Sequence, residues 1–494
     1  MTMTTSSQTM FRLTAFIITC VFLTALASDP LVTLSTKPED APYLPKPKGT
    51  LTFSKDIAPI IFNNCSGCHR TGEVAPFTLL NYDDVKKKGK TIIKVIDKRY
   101  MPPWKAMHGF GEFRDERRLS DEQIGMIKQW VEEGAPEGDR SKLPPLPKFP
   151  TGWTLGEPDM IFQPAESFDV AAEGRDIYQC FVVPTNFSED RYISAIEMRP
   201  GNRSVVHHVI AYTDTTGKAR ELDAATPELG YRTFGGSGVR GAEWLEGWAP
   251  GKTPRRLPAG YGLRIPSGAD IILQVHYHKT GKSETDRTRM GVYFCKEPVD
   301  KHVRVARLLA FPLIIPAGDS NYVSHASLTV PKDVTVLSVM PHMHLLGREM
   351  TVAATLPDGS DVPMVRVPDW DFNWQISYAF KRPLKLPAGS KVSLIARHDN
   401  SADNPRNPSA PPALVKWGEQ TTDEMCIAFF SYTVDAEHLT KGIVEEGIRV
   451  RPARVDPEAI QKGLLKLLDK NGDGKVDDQE RAAALKLLQR RQEP

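Results

Sequence analysis

Three histidine-rich stretches carry the chemistry of this chain. The first is MPHMHLLG, with His342 and His344 two residues apart. On a β-strand, side chains at i and i+2 share a face, so both imidazoles can reach one ion without a bend. DEMC, further on, offers the thioether of Met425. Two imidazoles and a soft sulfur suit copper better than zinc or magnesium. VVHHVIAY and LQVHYH add His207, His208, His276 and His278. Adjacent residues on a regular strand face opposite ways, so His207 and His208 need a bulge or a strand end to converge. His276 and His278 share a face and could chelate by themselves.

Two further motifs imply other cofactors. Cys65-Ser66-Gly67-Cys68-His69 is a c-type haem attachment pattern. The two thiols bond the vinyl groups and His69 ligates the iron. For the opposite ligand, Met101 in RYMPPW is the choice, with Met107 and His108 as rivals. Near the C-terminus, Asp469, Asn471, Asp473, Lys475, Asp477 and Glu480 fall at the ligand positions of an EF-hand loop, with Gly474 at its sharp turn. That predicts one calcium ion, in a structural role.

The elements that must hold these groups change character along the chain. Over 51–140, Asn81 reads as a helix cap. Ser120 and Gln123 read as a capping box, Leu119 and Ile124 as its staple, and Gly134 as a helix stop. Ser54 is expected to cap a short helix before the CxxCH. Residues 141–157 are a Pro-rich joint. From there to about 440, short runs rich in β-branched and aromatic residues alternate with turn residues, as in two antiparallel sandwiches. No Gly-rich phosphate loop and no Ser-His-Asp pattern stands out.

The 494 residues allow several domains, and 40 prolines favour loops and β edges. A formal charge of +2 argues against nucleic acid. Arg12, the apolar run Leu13 to Leu26 and Ala25-Leu26-Ala27 read as an export signal over 1–27, which predicts a periplasmic or secreted protein. No later run is long enough to span a bilayer. Cleavage would leave five cysteines, Cys65, Cys68, Cys180, Cys295 and Cys426.

VVHHV, GWAPGKTPRRLPAGYGLRI leading into LQVHYH, then HMHLLG, then TDEMC, occur in the order found in the copper type II, ascorbate-dependent monooxygenases. The chain resembles that family, which includes the peptidylglycine α-hydroxylating and dopamine β-monooxygenases, over roughly residues 160 to 435. The resemblance implies two jelly-roll-like copper domains, here 158–300 and 301–440. His207, His208 and His276 would hold an electron-transfer copper. His342, His344 and Met425 would hold the copper that binds dioxygen and substrate. His278 would stand behind its neighbour rather than ligate. The resemblance also implies a disulfide between Cys180 and Cys295, while Cys426 has no evident partner. Where peptide-amidating members grip a carboxylate, this chain has Met340, Ile427 and Phe429. An apolar wall does not compensate a desolvated carboxylate.

The expected architecture is therefore an all-α cytochrome c-like domain at 51–140, two antiparallel β-sandwich copper domains, and a C-terminal α-helical EF-hand at 456–494. The expected activity is hydroxylation of a C–H bond in a small apolar or aromatic substrate. Dioxygen is the oxidant. Electrons come from an ascorbate-like reductant or a redox protein, relayed by the haem. The alternative is a non-catalytic protein on the same scaffold that transfers electrons or handles copper.

Overall fold

The computed structural model describes residues 42–448, except 74, 151, 234 and 235. The expected signal segment and the EF-hand residues lie outside the described residues. Strand accounts for 34% of the described residues and helix for 13%.

Two five-stranded sheets face each other across one core. One runs, in spatial order, Met160–Phe162, Arg289–Phe294, Arg191–Arg199, Tyr261–Ile265 and Lys301–His302. The other runs Tyr231–Arg232, Ile177–Pro184, Asp270–Tyr277, Val206–Asp214 and Glu243–Trp248. Alternate residues of both sheets, such as Ile193 and Val292 against Val209 and Leu273, fill the space between. Alternation puts one face of each strand inside, and burial of these β-branched and aliphatic side chains drives the two layers together.

Two four-stranded sheets form a second pair. One is Arg304–Leu309, Cys426–Val434, Val334–Met343 and Tyr378–Leu386, and the other is Tyr322–Thr329, Lys391–His398, Gly347–Thr355 and Asp361–Val367. Their shared core contains Val339, Met343, Met350, Leu394 and Phe430.

Four α-helices are described, Ala58–Asn64, Tyr82–Asp97, Asp121–Glu132 and Lys218–Ala224. Asn81 caps the second by accepting from the Asp84 amide. Ser120 and Gln123 form a reciprocal capping box on the third, and Gly134 follows its end in the left-handed region. Ser54 caps nothing; it lies inside a π-helical turn, Phe53–Ile57, and its hydroxyl donates to the Glu137 carbonyl.

These elements correct the expected architecture. Segment 51–140 is not an all-α domain of its own. Three helices pack around Trp130 and Ile57, but the stretch between the second and third helices is non-helical and belongs to the second β core. Trp104, Ala106 and Phe113 are buried there. Phe113 stacks on Phe380 at 5.5 Å and forms a β-bridge to it. The Met107 amide donates to the Arg366 carbonyl. Prolines 102 and 103 and Gly109 and Gly111 keep this stretch from continuing either helix. Nor is pairing antiparallel throughout, since Lys301–His302 runs parallel to Tyr261–Gly262. No helical EF-hand forms part of the described fold.

The implied Cys180–Cys295 disulfide is also corrected, because both thiols are free. Phe181 points into the inter-sheet core, so its neighbour Cys180 points out, into a small cluster with Tyr212 and Tyr231. Cys295 follows a strand of the opposite sheet, its sulfur 3.5 Å from the Tyr261 carbonyl.

Candidate metal centre

Each sheet pair has an outer face turned away from its own core, and the two outer faces meet. Val209, Leu273 and Val275 point into the first core. By alternation, His208, His276 and Trp244 point out. On the second pair, Val339, Met343, Cys426 and Phe430 are core, so Met340, His342, Ile427 and Phe429 point out. The faces touch where Trp244 packs on Phe429 at 5.1 Å and where the Tyr178 hydroxyl donates to the Glu419 carbonyl at 2.9 Å.

On the first face, the pairing of Val206–Asp214 with Asp270–Tyr277 shifts register between Val206 and His208. The extra residue lets two consecutive imidazoles converge. His208 then lies directly across from His276. The Nδ1 atoms of His207 and of His276 each lie 3.3 Å from Nδ1 of His208. Ligand atoms of all three fall within 4.8 Å of one another, as one ion would require. No hydrogen-bonding pattern satisfies three facing imidazole nitrogens as well as a cation does. Burial pushes His207 down to about 3 and holds His208 well below its ordinary value. Both imidazoles are therefore neutral and free to ligate.

Asp176 orients the cluster from behind. Its carboxylate accepts from His276 Nε2 at 2.9 Å and from His278 Nδ1 at 3.3 Å. His278 is exposed and stands outside the three-histidine group. Tyr178 stacks on the His276 ring at 4.2 Å.

On the second face, His342 and His344 meet edge to face at 5.2 Å. His342 Nδ1 donates to Gln375 Oε1 at 2.6 Å and His344 Nδ1 donates to the Asp423 carbonyl at 3.2 Å. These partners leave both Nε2 atoms to ligate. Burial lowers His342 to about 4 and His344 to about 3. Met343 pairs with Cys426 and His342 with Ile427; continuing the register places Met425 across from His344. Glu424 fixes this junction. Its fully buried carboxylate accepts from the amides of His344, Leu346 and Met425. Burial pushes that carboxyl up to about 8 against the pull of these amides.

The sequence alone gave no reason to single out Asp176, Gln375 or Phe372, which lie far along the chain from the motifs they touch. Phe372 stacks on His207 at 5.0 Å and meets His344 edge-on at 5.7 Å. One aromatic ring therefore touches a histidine of each cluster.

The CxxCH segment lies against the first sheet pair. Cys65 and Cys68 are free, and burial pushes Cys65 up to about 12. His69 Nδ1 donates to the Phe77 carbonyl at 3.1 Å, which leaves Nε2 with its lone pair. Glu73 pairs with Arg70 at 2.8 Å and with Arg203 at 2.5 Å, four residues before His207. Met101 is half-buried after the second helix. Met107 is tied by its backbone to Arg366, and His108 Nδ1 is paired with Glu116 at 2.9 Å. Among the described residues, no helix is long and apolar enough to cross a membrane.

No family model matches the chain. Solved structures resemble it weakly. PNGF-II matches at 8% identity over 55% of this chain and 65% of its own, with a TM-score of 0.24. PNGase F, a glycosylasparaginase from Flavobacterium meningosepticum, matches at 12% identity over 56% of this chain and 95% of its own, with a TM-score of 0.25. The STIV MCP matches at 10% identity over 56% and 96%, also at 0.25. Similarity at this level carries no argument about the site.

Proposed function

We propose that this chain is a copper-dependent monooxygenase of the type its motifs resemble. It hydroxylates a C–H bond of a small apolar or aromatic substrate with dioxygen. The carrying observation is that two histidine clusters, assembled from distant strands, face each other across one seam. The donor sets fit copper: three imidazoles in one cluster, two imidazoles and a thioether brought across from His344 by the strand register in the other. Copper, when bound, supplies one-electron redox chemistry and an open position for dioxygen.

The chain's own residues do the rest. Asp176 holds His276 so that Nδ1 faces the cluster. Gln375 and the Asp423 carbonyl hold His342 and His344 so that Nε2 does. Such outer partners fix ring orientation and raise ligand basicity. Phe429 packs 6.2 Å from His342, and Ile427 and Met340 share its face. This wall favours an apolar C–H substrate over a charged one.

The CxxCH segment fits covalent haem. Its thiols are unpaired, and His69 is held by one nitrogen with the other left over. Cys65, Cys68, His69 and Met101 would hold the group, which would supply one-electron transfer. Its position beside Arg203 supports electron relay toward the three-histidine cluster. A calcium ion at Asp469–Glu480 belongs to the same reading. The partners are the small-molecule substrate, dioxygen and an external electron donor.

The test is dioxygen uptake driven by a panel of small aromatic and aliphatic substrates. Uptake abolished by Met425→Ala, with copper retained at the three histidines, supports the reading. Uptake unchanged in that variant contradicts it. Copper and haem that cycle with no substrate consumed would instead mark an electron-transfer protein.

A further inference from the structure

One hexapeptide, Trp370–Gln375, touches three of the five candidate histidine ligands. Phe372 stacks on His207 at 5.0 Å, 18° from parallel, and meets His344 edge-on at 5.7 Å. The side chain of Gln375 accepts from His342. The indole N–H of Trp370 donates to the His344 carbonyl at 3.1 Å. The segment is not a loose loop that touches these groups by chance. Asp371 is buried and accepts from both the amide and the side chain of Asn373, while its carbonyl accepts from the Trp374 amide. Arg406 donates to the Trp370 carbonyl at 2.6 Å. Phe372 is therefore presented from a tight, doubly anchored turn.

The same turn reaches toward the CxxCH segment. The Trp374 ring lies against Gly251, where an added Cβ would come within 3.5 Å of it. The Gly251 carbonyl accepts from Arg117 at 3.3 Å. Arg117 in turn is close enough to the Cys68 thiol to pull its pKa down against the larger upward push of burial.

We propose that the Phe372 ring is the medium through which an electron passes between the two metal clusters, and that Trp370–Gln375 is the element that sets their coupling. This rests on the reading that both clusters hold copper. In the step, one electron leaves a cuprous ion at His207, His208 and His276, and a cupric ion at His342, His344 and Met425 gains it. No bond forms or breaks and no proton moves. A ring in van der Waals contact with an imidazole on each side gives a continuous path of packed atoms. Removing it leaves a cavity or admits water, because a tightly anchored turn cannot collapse to fill the space.

The experiment uses the full chain loaded with copper. Pulse radiolysis delivers less than one electron per chain, and freeze-quenched EPR follows its redistribution. The two cupric signals differ because one site has three imidazoles and the other a thioether. Expected for Phe372→Ala is a transfer rate at least about tenfold slower, with two coppers still bound and both cupric signals unshifted. Phe372→Tyr should keep the wild-type rate. If Phe372→Ala does not fold, Phe372→Leu, which fills much of the space without a π system, is read in the same way. A wild-type rate in the variant without the ring, with both coppers bound, overturns this inference alone. Wild-type protein that binds no copper overturns it together with the functional reading beneath it.

Discussion

Asp176 Oδ2 lies 2.9 Å from His276 Nε2, on the side of the ring away from His208. That bond decides which nitrogen of His276 is left for an ion. Its other oxygen is engaged by His278, so the carboxylate bridges a candidate ligand and a bystander. Asp176→Asn keeps the shape but removes the charge. Expected is a loss of metal affinity of about 10- to 100-fold at the three-histidine cluster, read by competition with a chelator. Affinity at the second cluster should not change. An equal loss at both would show that the substitution acts through the fold.

Glu424 is a buried carboxylate whose acceptors serve the amides of His344, Leu346 and Met425. Each buried donor left unpaired costs about 1–3 kcal/mol. Glu424→Ala should therefore lower unfolding free energy by about 3 kcal/mol or more, seen in chemical denaturation. Glu424→Gln, which keeps an acceptor oxygen, should lose less. Equal stability of the alanine variant and wild type would remove Glu424 from its place at this junction.

Phe113 and Trp104 tie the loop after the second helix into the second β core. Phe113→Ala should cost about 3–5 kcal/mol, the usual range for a buried phenylalanine. Because that loop carries no helix of its own, limited proteolysis should then cut first within 101–119. Cleavage confined to other regions would show that the loop is held independently of Phe113.

His302 gives the fold a pH dependence away from the candidate ligands. Burial and the nearby Arg304 lower its pKa to about 4, against the opposing pull of Glu437; Arg264 and Asp190 also face it. The unfolded chain takes up a proton near the ordinary value of about 6.5, while the folded chain resists until about 4. Protons thus favour the unfolded state over that window. This contribution to stability is whole above pH 6.5 and is lost as pH falls toward 4. In His302→Asn the melting temperature should fall less steeply across those pH values than in wild type. Parallel profiles would show that His302 carries none of the slope.

Local patterns are legible in the sequence. Residues two apart in HMH share a face, and a strand delivers that. Two adjacent histidines need a bulge, and one lies between Val206 and His208. The Ser120 capping box is a four-residue signal and forms as read. Groups brought in from far along the chain left no such trace. Asp176 precedes His276 by a hundred residues, and Gln375 follows His342 by 33. Glu424 is the exception; a charge beside Met425 at the start of an apolar strand could have drawn notice. The helical periods near 82–97 and 121–132 were real but local. They said nothing of the loop between them, where Trp104 and Phe113 follow no repeat and pack wherever an apolar surface is offered. Alternation shows that Cys180 and Phe181 point opposite ways, but not which one faces the core.

The most direct test is copper quantification with X-ray absorption on the reduced protein, wild type and Met425→Leu. Expected are two coppers per chain and a copper–sulfur shell that disappears in the variant while the imidazole shells remain. Zinc at the clusters, or reduced copper with no sulfur neighbour to lose, would contradict an oxygen-activating centre at His342, His344 and Met425.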